Sequence, residues 1–210
     1  MFYKNHLKRW LDAFLAGAAL LVLSPLLGLL CLLIKLDSKG PVLFRQQRYG
    51  KEKKLFSILK FRTMYTDTPA NVPTNELQDP EKFITRVGKI LRKTSLDELP
   101  QLWNILVGDM ALIGPRPALW NQYFLMECRE KEGAADIRPG LSGWAQVNGR
   151  DILADDEAKK AAFDGEYARN LSFGFDCKCL WRTVLSVFRR DGFAEGVSVS
   201  RENLEKHKEE

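Results

Sequence analysis

Two adjacent carboxylates, Asp97 and Glu98, stand where an apolar helical pattern begins, within residues 94–101. Ser95 and Glu98 have the spacing of a capping box, but that start would place Pro100 in the second turn, where it clashes with the backbone. Asp97 as the N-cap would place Pro100 in the first turn, where proline is tolerated. Either start puts both acids near the positive end of the helix dipole, which favours ionised carboxylates and attracts phosphate. The pair is therefore either an ordinary first-turn pair or a site for metal-bound phosphate.

Four arginines stand beside turn-forming residues. Arg92 comes shortly before the acids, Arg116 lies in Gly-Pro-Arg-Pro, Arg138 precedes Pro-Gly, and Arg150 ends Asn-Gly-Arg. A guanidinium group binds phosphate through two hydrogen bonds in a fixed fork. Each arginine alone is typical of a solvated or paired surface residue. Together with the acidic pair, the four predict a diphosphate substrate and a divalent cation.

The elements that must position these groups begin with an apolar run over residues 13–34, which Ser24 and Pro25 interrupt. A straight helix of that length, at ~1.5 Å per residue, just crosses a hydrocarbon core of ~30 Å. Proline removes a backbone donor and bends a helix, and the Ser24 hydroxyl can satisfy part of the freed backbone. Lysines and arginines flank both ends of the run, and such residues prefer the cytoplasmic side. A spanning helix and a re-entrant helix fit these residues equally, whereas a cleaved signal peptide fits poorly.

Composition narrows the class of protein. The chain has 210 residues and a net charge of +5, so one domain remains once the apolar run is set aside. The basic excess beside that run suits an anionic membrane surface or phosphate-bearing substrates better than nucleic acid. Four cysteines without C-x-x-C spacing and two histidines argue against a zinc site and a disulfide framework. The domain outside the apolar run therefore fits the reducing environment of the cytosol.

The rest of the chain predicts a mainly helical body with one small hairpin. The first elements expected are a hairpin of residues 42–44 and 55–61 and a loop over 66–79. Two helices follow: one starts at 79–80 and has Phe83, Val87, Ile90 and Leu91 on one face, and the other ends near Gly108 and has Leu99, Leu102, Trp103 and Leu106 at helical spacing. The remaining elements expected are a helix over 118–132, a loop over 138–150, and helices over about 155–169 and 176–190. The last helix has an apolar side with Leu180, Trp181 and Val184, which suits the membrane interface or, slightly better, the core.

Read together, these motifs resemble one family, the small monotopic bacterial phosphoglycosyl transferases. The matching segments are Ser24-Pro25 and residues 60–64, 95–101, 108–110, 113–117, 138–143, 146–150 and 170–172, with Asp176. Each segment alone is weak, but the set in this order is highly specific. The resemblance covers almost the whole chain except the tail after about Arg190.

The resemblance implies an α+β fold that is mainly helical. Residues 1–36 would form a re-entrant membrane helix broken at Ser24-Pro25, and residues 37–190 a compact catalytic domain with a small β-hairpin and interfacial amphipathic helices. Residues 191–210 would be a charged C-terminal tail. Such a monotopic protein lies on the cytoplasmic face of the bacterial inner membrane.

The resemblance also implies a reaction, the first membrane step of glycoconjugate assembly. A sugar-1-phosphate passes from a UDP-sugar to polyprenyl (undecaprenyl) phosphate, UMP is released, and Mg²⁺ is required. Asp97 would be the covalent nucleophile, with Glu98 as its catalytic partner, and both would bind the metal. Substrate-binding positions would be Lys60, Arg62, Arg92, Arg116, Arg138, Arg150 and Asp164. The segment 163–167 departs from the family pattern by lacking a second aromatic beside the tyrosine, which leaves the role of Asp164 open.

Two alternatives stay open at the level of the sequence. One is a non-catalytic, membrane-anchored basic module that binds anionic lipid or nucleic acid and uses the carboxylates only as caps. The other is a transferase that works in a single step, with Asp97 only as a metal ligand. Neither the sugar nor the oligomeric state follows from the motifs.

Overall fold

The computed structural model describes residues 2–68, 79–149 and 156–189. Within these ranges it has seven α-helices and two two-stranded sheets. The elements in chain order are α1 (Lys8–Asp37), β1 (Leu43–Tyr49), β2 (Leu55–Phe61), α2 (Arg86–Thr94), α3 (Gln101–Val107), β3 (Ala111–Ile113), α4 (Tyr123–Lys131), β4 (Gly140–Ser142), α5 (Trp144–Gly149), α6 (Glu157–Asn170) and α7 (Phe173–Arg189). The prediction of a mainly helical protein with a small hairpin is confirmed.

The apolar run forms helix α1, which follows a π-helical turn at Tyr3–Leu7. The helix continues through Ser24 and Pro25, so the structure does not show the predicted break, and Pro25 lies inside a continuous helix. Pro25 cannot donate to the carbonyl of Leu21, four residues earlier. The Ser24 hydroxyl donates to that carbonyl at 2.8 Å, which confirms its expected role. By length and composition, α1 is able to cross a membrane.

Both halves of α1 pack against the rest of the protein. The first half places Ala16 in a cluster with Ile105 of α3, and the second half places Ile34 in a cluster with Leu91 of α2. The opposite side of the helix is apolar and exposed at Phe14, Leu15, Leu21, Val22, Leu29, Leu32 and Leu36. One side of α1 is therefore an internal packing surface, and the other is uncovered.

The hairpin β1–β2 is antiparallel, with Phe44 opposite Lys60 and Arg48 opposite Phe56. Because side chains alternate along a strand, Arg48 and Lys60 extend from the same face of the hairpin. The predicted hairpin is confirmed, and its first strand is longer than expected.

A parallel pair, β3–β4, joins two glycine-rich segments, with Ala111 opposite Gly140 and Ile113 opposite Ser142. A Cβ atom on Gly140 would lie 2.1 Å from the nitrogen of Gly114, so only glycine permits this approach. The predicted loop over residues 138–150 is wrong, since β4 and α5 lie within it. The error arose because the pairing of two three-residue strands is non-local and has no local periodicity.

The two predicted helices around the acids also differ from the structure. A 3₁₀ turn at Pro80–Phe83 precedes α2, and Thr85 caps α2 by accepting a hydrogen bond from Gly88 N at 3.0 Å. Leu91 is buried, but Ile90, predicted on the same face, is exposed. Helix α3 begins after Pro100 without a side-chain cap, so both caps predicted for it are wrong. Its predicted end at Gly108, where φ is +105°, is confirmed.

The last three long helices are present with shifted ends. Helix α4 begins at Tyr123, later than predicted, and Asp156 caps α6 by accepting from Lys159 N. On α7 the side chains of Leu180, Trp181 and Val184 are exposed, so the preferred core packing of that face is wrong. The predicted loop over 66–79 lies mostly outside the described residues.

Candidate active site

The acidic pair lies in a 3₁₀ turn, Leu96–Glu98, between α2 and α3. Ser95 ends α2 in a left-handed conformation, with φ at +55°, and redirects the chain into this turn. Asp97 is 9% exposed, and the Glu98 side chain is 16% exposed. The acids therefore precede the helix and lie in a partly enclosed turn instead of the first turn of α3.

Two cations converge on Glu98. The Lys60 ammonium lies 2.8 Å from Glu98 Oε1 and 3.9 Å from Asp97 Oδ2. Arg116 Nη2 lies 3.2 Å from the same oxygen of Glu98. The structure thus brings together four residues that the sequence placed at a site, two acids and two cations. Hydrogen bonds to charged groups are short and strong, so this arrangement orients the Glu98 carboxylate.

Asp164 is connected to this site indirectly, through Arg129. It is 1% exposed and pairs with Arg129, whose Nη2 lies 2.7 Å from Asp164 Oδ2. The same nitrogen of Arg129 donates to the backbone oxygen of Arg116 at 2.9 Å. Asp164 is therefore placed to hold Arg129, which in turn fixes the turn carrying Arg116. In this structure it does not line the cavity beside the acids.

A small cavity opens to solvent next to Glu98, with about 10 Å³ of space for a water-sized molecule. It is lined by Arg48, Ile58, Lys60, Glu98, Gln101, Arg116, Pro117 and Gly140. The charged lining residues are three cations and one carboxylate, so the cavity favours an anion.

Arg48 and Lys160 are cationic groups near this site that sequence reasoning missed. Burial, with nearby Arg116, lowers the pKa of Arg48 to about 10. Burial, with nearby Arg129 and Arg116, lowers the pKa of Lys160 to about 8. Both shifts arise because positive charges are crowded together and partly removed from water. Arg48 has a signal in the sequence, since its period-2 position puts it on the same face of the hairpin as Lys60, whereas Lys160 has none.

The other predicted substrate-binding residues make different contacts. Arg62 is buried and donates to the backbone oxygens of residues 38 and 39, which ties β2 to the end of α1. Arg92 Nε donates to Thr63 Oγ1 at 2.9 Å. Arg138 Nε donates to the backbone oxygen of Gly108 at 3.0 Å, at the end of α3. Arg150 lies outside the described residues.

The acidic pair fits Mg²⁺ better than a transition metal. Among residues 2–68, 79–149 and 156–189 no group of three or more His, Cys, Asp or Glu side chains could hold a metal ion. Mg²⁺ is commonly bound through one or two carboxylates together with substrate phosphates. Asp97 and Glu98, beside a cavity that favours anions, match that donor set.

The sequence matches the family model described as bacterial sugar transferase over residues 3–190. The chain belongs to this family. It is 42% identical over 188 residues to the UDP-glucose:undecaprenyl-phosphate glucose-1-phosphate transferase of Escherichia coli strain K12, a match that covers 87% of this chain and 40% of that protein. It is 41% identical over 197 residues to the exopolysaccharide production protein PSS of Rhizobium leguminosarum bv. phaseoli, covering 88% of this chain and 96% of that one.

A third relative is named for a different sugar. The UDP-N-acetylgalactosamine-undecaprenyl-phosphate N-acetylgalactosaminephosphotransferase of Aeromonas hydrophila is 40% identical over 184 residues, covering 86% of this chain and 43% of that protein. The chain thus spans about two fifths of the length of the Escherichia coli and Aeromonas hydrophila relatives. Nearly equal identity to relatives named for glucose and for N-acetylgalactosamine does not select a sugar for this member of the bacterial sugar transferase family.

Proposed function

We propose that this protein transfers a sugar-1-phosphate from a UDP-sugar to polyprenyl phosphate, with undecaprenyl phosphate as the carrier, and releases UMP. The observation that carries the proposal is the partly enclosed pair Asp97 and Glu98, with Lys60 and Arg116 on one Glu98 oxygen beside a positively charged cavity. The family and the names of its relatives support the same reaction class.

The proposed chemistry has two displacements. In the first, a carboxylate oxygen of Asp97 bonds to the phosphorus that carries the sugar, and the bond to the bridging oxygen breaks, so that UMP leaves with that electron pair. In the second, an oxygen of polyprenyl phosphate bonds to the same phosphorus, and the bond to Asp97 breaks. The carboxylate is regenerated. Covalent catalysis of this kind spares the site from holding two anionic substrates together.

The cations of the site serve both displacements by offsetting negative charge. Lys60 and Arg116 would reduce the repulsion between the Asp97 carboxylate and the incoming diphosphate. Asp97 and Glu98 would hold Mg²⁺, which supplies further neutralisation of the phosphate oxygens when bound. Arg129 would keep Arg116 in place through its backbone oxygen.

We also propose that α1 is re-entrant and that the protein is monotopic, on the cytoplasmic face of the bacterial inner membrane. Near its start, Lys8 lies 2.6 Å from Asp176 of α7, and Arg9 donates to the backbone oxygen of Leu106 at 2.7 Å. Near its end, Asp37 accepts from Val87 N at 3.0 Å. A helix whose two ends contact the same body cannot readily leave them on opposite sides of a bilayer. The exposed apolar faces of α1 and α7 would then contact lipid.

The reaction is tested by measuring UMP released from a panel of UDP-sugars, with and without polyprenyl phosphate, in detergent or vesicles. We expect sustained release that needs both substrates and stops when EDTA removes the metal. No release with any UDP-sugar, in a protein that still binds anionic vesicles, would instead support the non-catalytic lipid-binding module.

The topology is tested by a single cysteine at position 2, in a background with the four native cysteines replaced. We expect Phe2→Cys to resist an impermeant thiol reagent in intact cells and to react after the membrane is opened. Labelling in intact cells would contradict the re-entrant proposal.

A further inference from the structure

Arg48 lies on the wall of the cavity beside the acids. It is on β1, and its side chain extends from the same hairpin face as Lys60 of β2. Arg48, Lys60 and Arg116 all line the cavity that Glu98 borders. Arg48 therefore approaches this space from the hairpin, whereas Arg116 comes from the turn after β3.

The contacts of Arg48 leave part of its guanidinium group unused. Nη1 donates to the backbone oxygen of Pro117 at 3.1 Å, and Nη2 donates to Gln46 Oε1 at 2.8 Å. The Nε atom is buried and has no hydrogen-bond partner among the described residues. Buried donors in native proteins are nearly always satisfied, so this one still lacks its acceptor.

Charge points to the kind of acceptor. Arg48 is partly buried near Arg116, and both factors lower its pKa to about 10. The facing carboxylate of Glu98 is already shared between Lys60 and Arg116. A multiply charged anion at the open mouth of the cavity would offset this crowding of positive charge.

We propose that Arg48 binds a phosphate group of the substrate, as a further phosphate-binding residue of this site. The inference rests on the proposed function, because that function supplies phosphate-bearing substrates. Two sources of the phosphate share this chemistry: the diphosphate of the UDP-sugar and the head of polyprenyl phosphate. The donor diphosphate offers more acceptor oxygens and is the expected source.

The test compares Arg48→Gln with the matched control Arg45→Gln. Arg45 lies on the same strand, is exposed, and extends from the opposite face, so the control removes the same charge away from the cavity. We expect Arg48→Gln to weaken binding of UDP, measured by calorimetry with Mg²⁺, by about tenfold or more, and to raise KM for the UDP-sugar similarly. Arg48→Lys should weaken UDP binding less than Arg48→Gln does, because lysine keeps the charge. It should still bind UDP more weakly than the wild type, because lysine lacks the planar fork.

The remaining outcomes separate the phosphate sources and the alternative role. A raised KM for polyprenyl phosphate alone would support the inference with the acceptor as the source. Wild-type UDP affinity and wild-type KM for both substrates would overturn it. A fall in kcat alone would also overturn it, and would indicate that Arg48 instead positions Arg116 through its hydrogen bond to Pro117. If thermal unfolding shows that Arg48→Gln does not fold, Arg48→Lys is compared with the wild type and the control in its place. Should the wild type release no UMP, the proposed function fails, while UDP binding still tests Arg48.

Discussion

Arg116 contacts Glu98 through one nitrogen, while its backbone oxygen is fixed by Arg129. Lysine at this position keeps the charge but loses the planar fork that contacts carboxylate and phosphate together. We predict that Arg116→Lys lowers kcat/KM for UMP release by about 10- to 100-fold, the effect of losing one charge-assisted hydrogen bond. The control is Arg169→Lys, which changes an exposed pair with Glu132 and should have little effect. Wild-type turnover in Arg116→Lys would make Arg116 a purely structural residue.

Lys160 makes the stability of the protein depend on pH. Burial, then Arg129 and Arg116, lower its pKa to about 8, and Asp164 and Glu157 only partly oppose this. An unfolded lysine keeps its proton up to about pH 10.4, so between about pH 8 and 10.4 the unfolded chain binds more protons. The contribution of Lys160 to the free energy of unfolding should therefore rise with pH across that window. Below it, the folded protein carries an unfavourable charge.

We predict that Lys160→Met raises the melting temperature near pH 7 and that this gain shrinks as the pH approaches about 10. The matched control is Lys159→Met, on the same helix, whose side chain is exposed. Thermal unfolding of both variants and the wild type at several pH values measures the effect. A gain for Lys160→Met that is the same at every pH would contradict this account of Lys160.

At the scale of elements, the parallel pair β3–β4 holds the turn that carries Arg116. Gly140 N donates to Pro115 O at 2.8 Å, and a Cβ on Gly140 would lie 2.1 Å from Gly114 N. We predict that Gly140→Ala lowers the free energy of unfolding by about 3 kcal/mol, since a backbone atom cannot move aside cheaply. Gly174→Ala, where a Cβ meets nothing within 4 Å, is the control. Similar denaturation midpoints for the two variants would show that the strand pair tolerates a side chain.

The re-entrant topology proposed for α1 would depend on Ser24 and Pro25. Pro25 removes a helical hydrogen bond, and Ser24 satisfies the freed carbonyl of Leu21. We predict that Ser24→Leu with Pro25→Ala restores the regular helix and moves a fraction of the molecules to a spanning form. The cysteine at position 2 should then become labelled in intact cells for that fraction. Unchanged labelling would mean that the contacts at the two ends of α1 set the topology without the proline.

At the scale of the whole molecule, the features that could be predicted from sequence are the local ones. The hairpin, the end of α3 at Gly108 and the bond from Ser24 each depend on neighbouring residues alone. The pair β3–β4 could not be predicted, because two short strands distant in sequence stabilise each other only after the chain has folded.

The residues of the candidate site also separate into those that local motifs predict and those that depend on non-local packing. Asp97, Glu98 and Arg116 lie in motifs that mark turns, so sequence reasoning singled them out, and the structure groups them with Lys60. The cation-rich setting of Lys160 depends on the packing of α6 against α4, which brings it near Arg129 and Arg116. No local pattern of residues predicts that environment.

The central claim is that Asp97 becomes covalently bound to the sugar phosphate. The protein should be mixed with UDP-sugar alone, quenched rapidly and examined by intact-protein mass spectrometry, with UMP measured in parallel. We predict a burst of about one UMP per active site and an added sugar-phosphate mass that maps to Asp97, as a two-step displacement requires. Asp97→Asn should lose both signals, and Asp136→Asn, at an exposed position, should keep them. Absence of burst and adduct in protein that turns over with both substrates would contradict the account and favour transfer in one step.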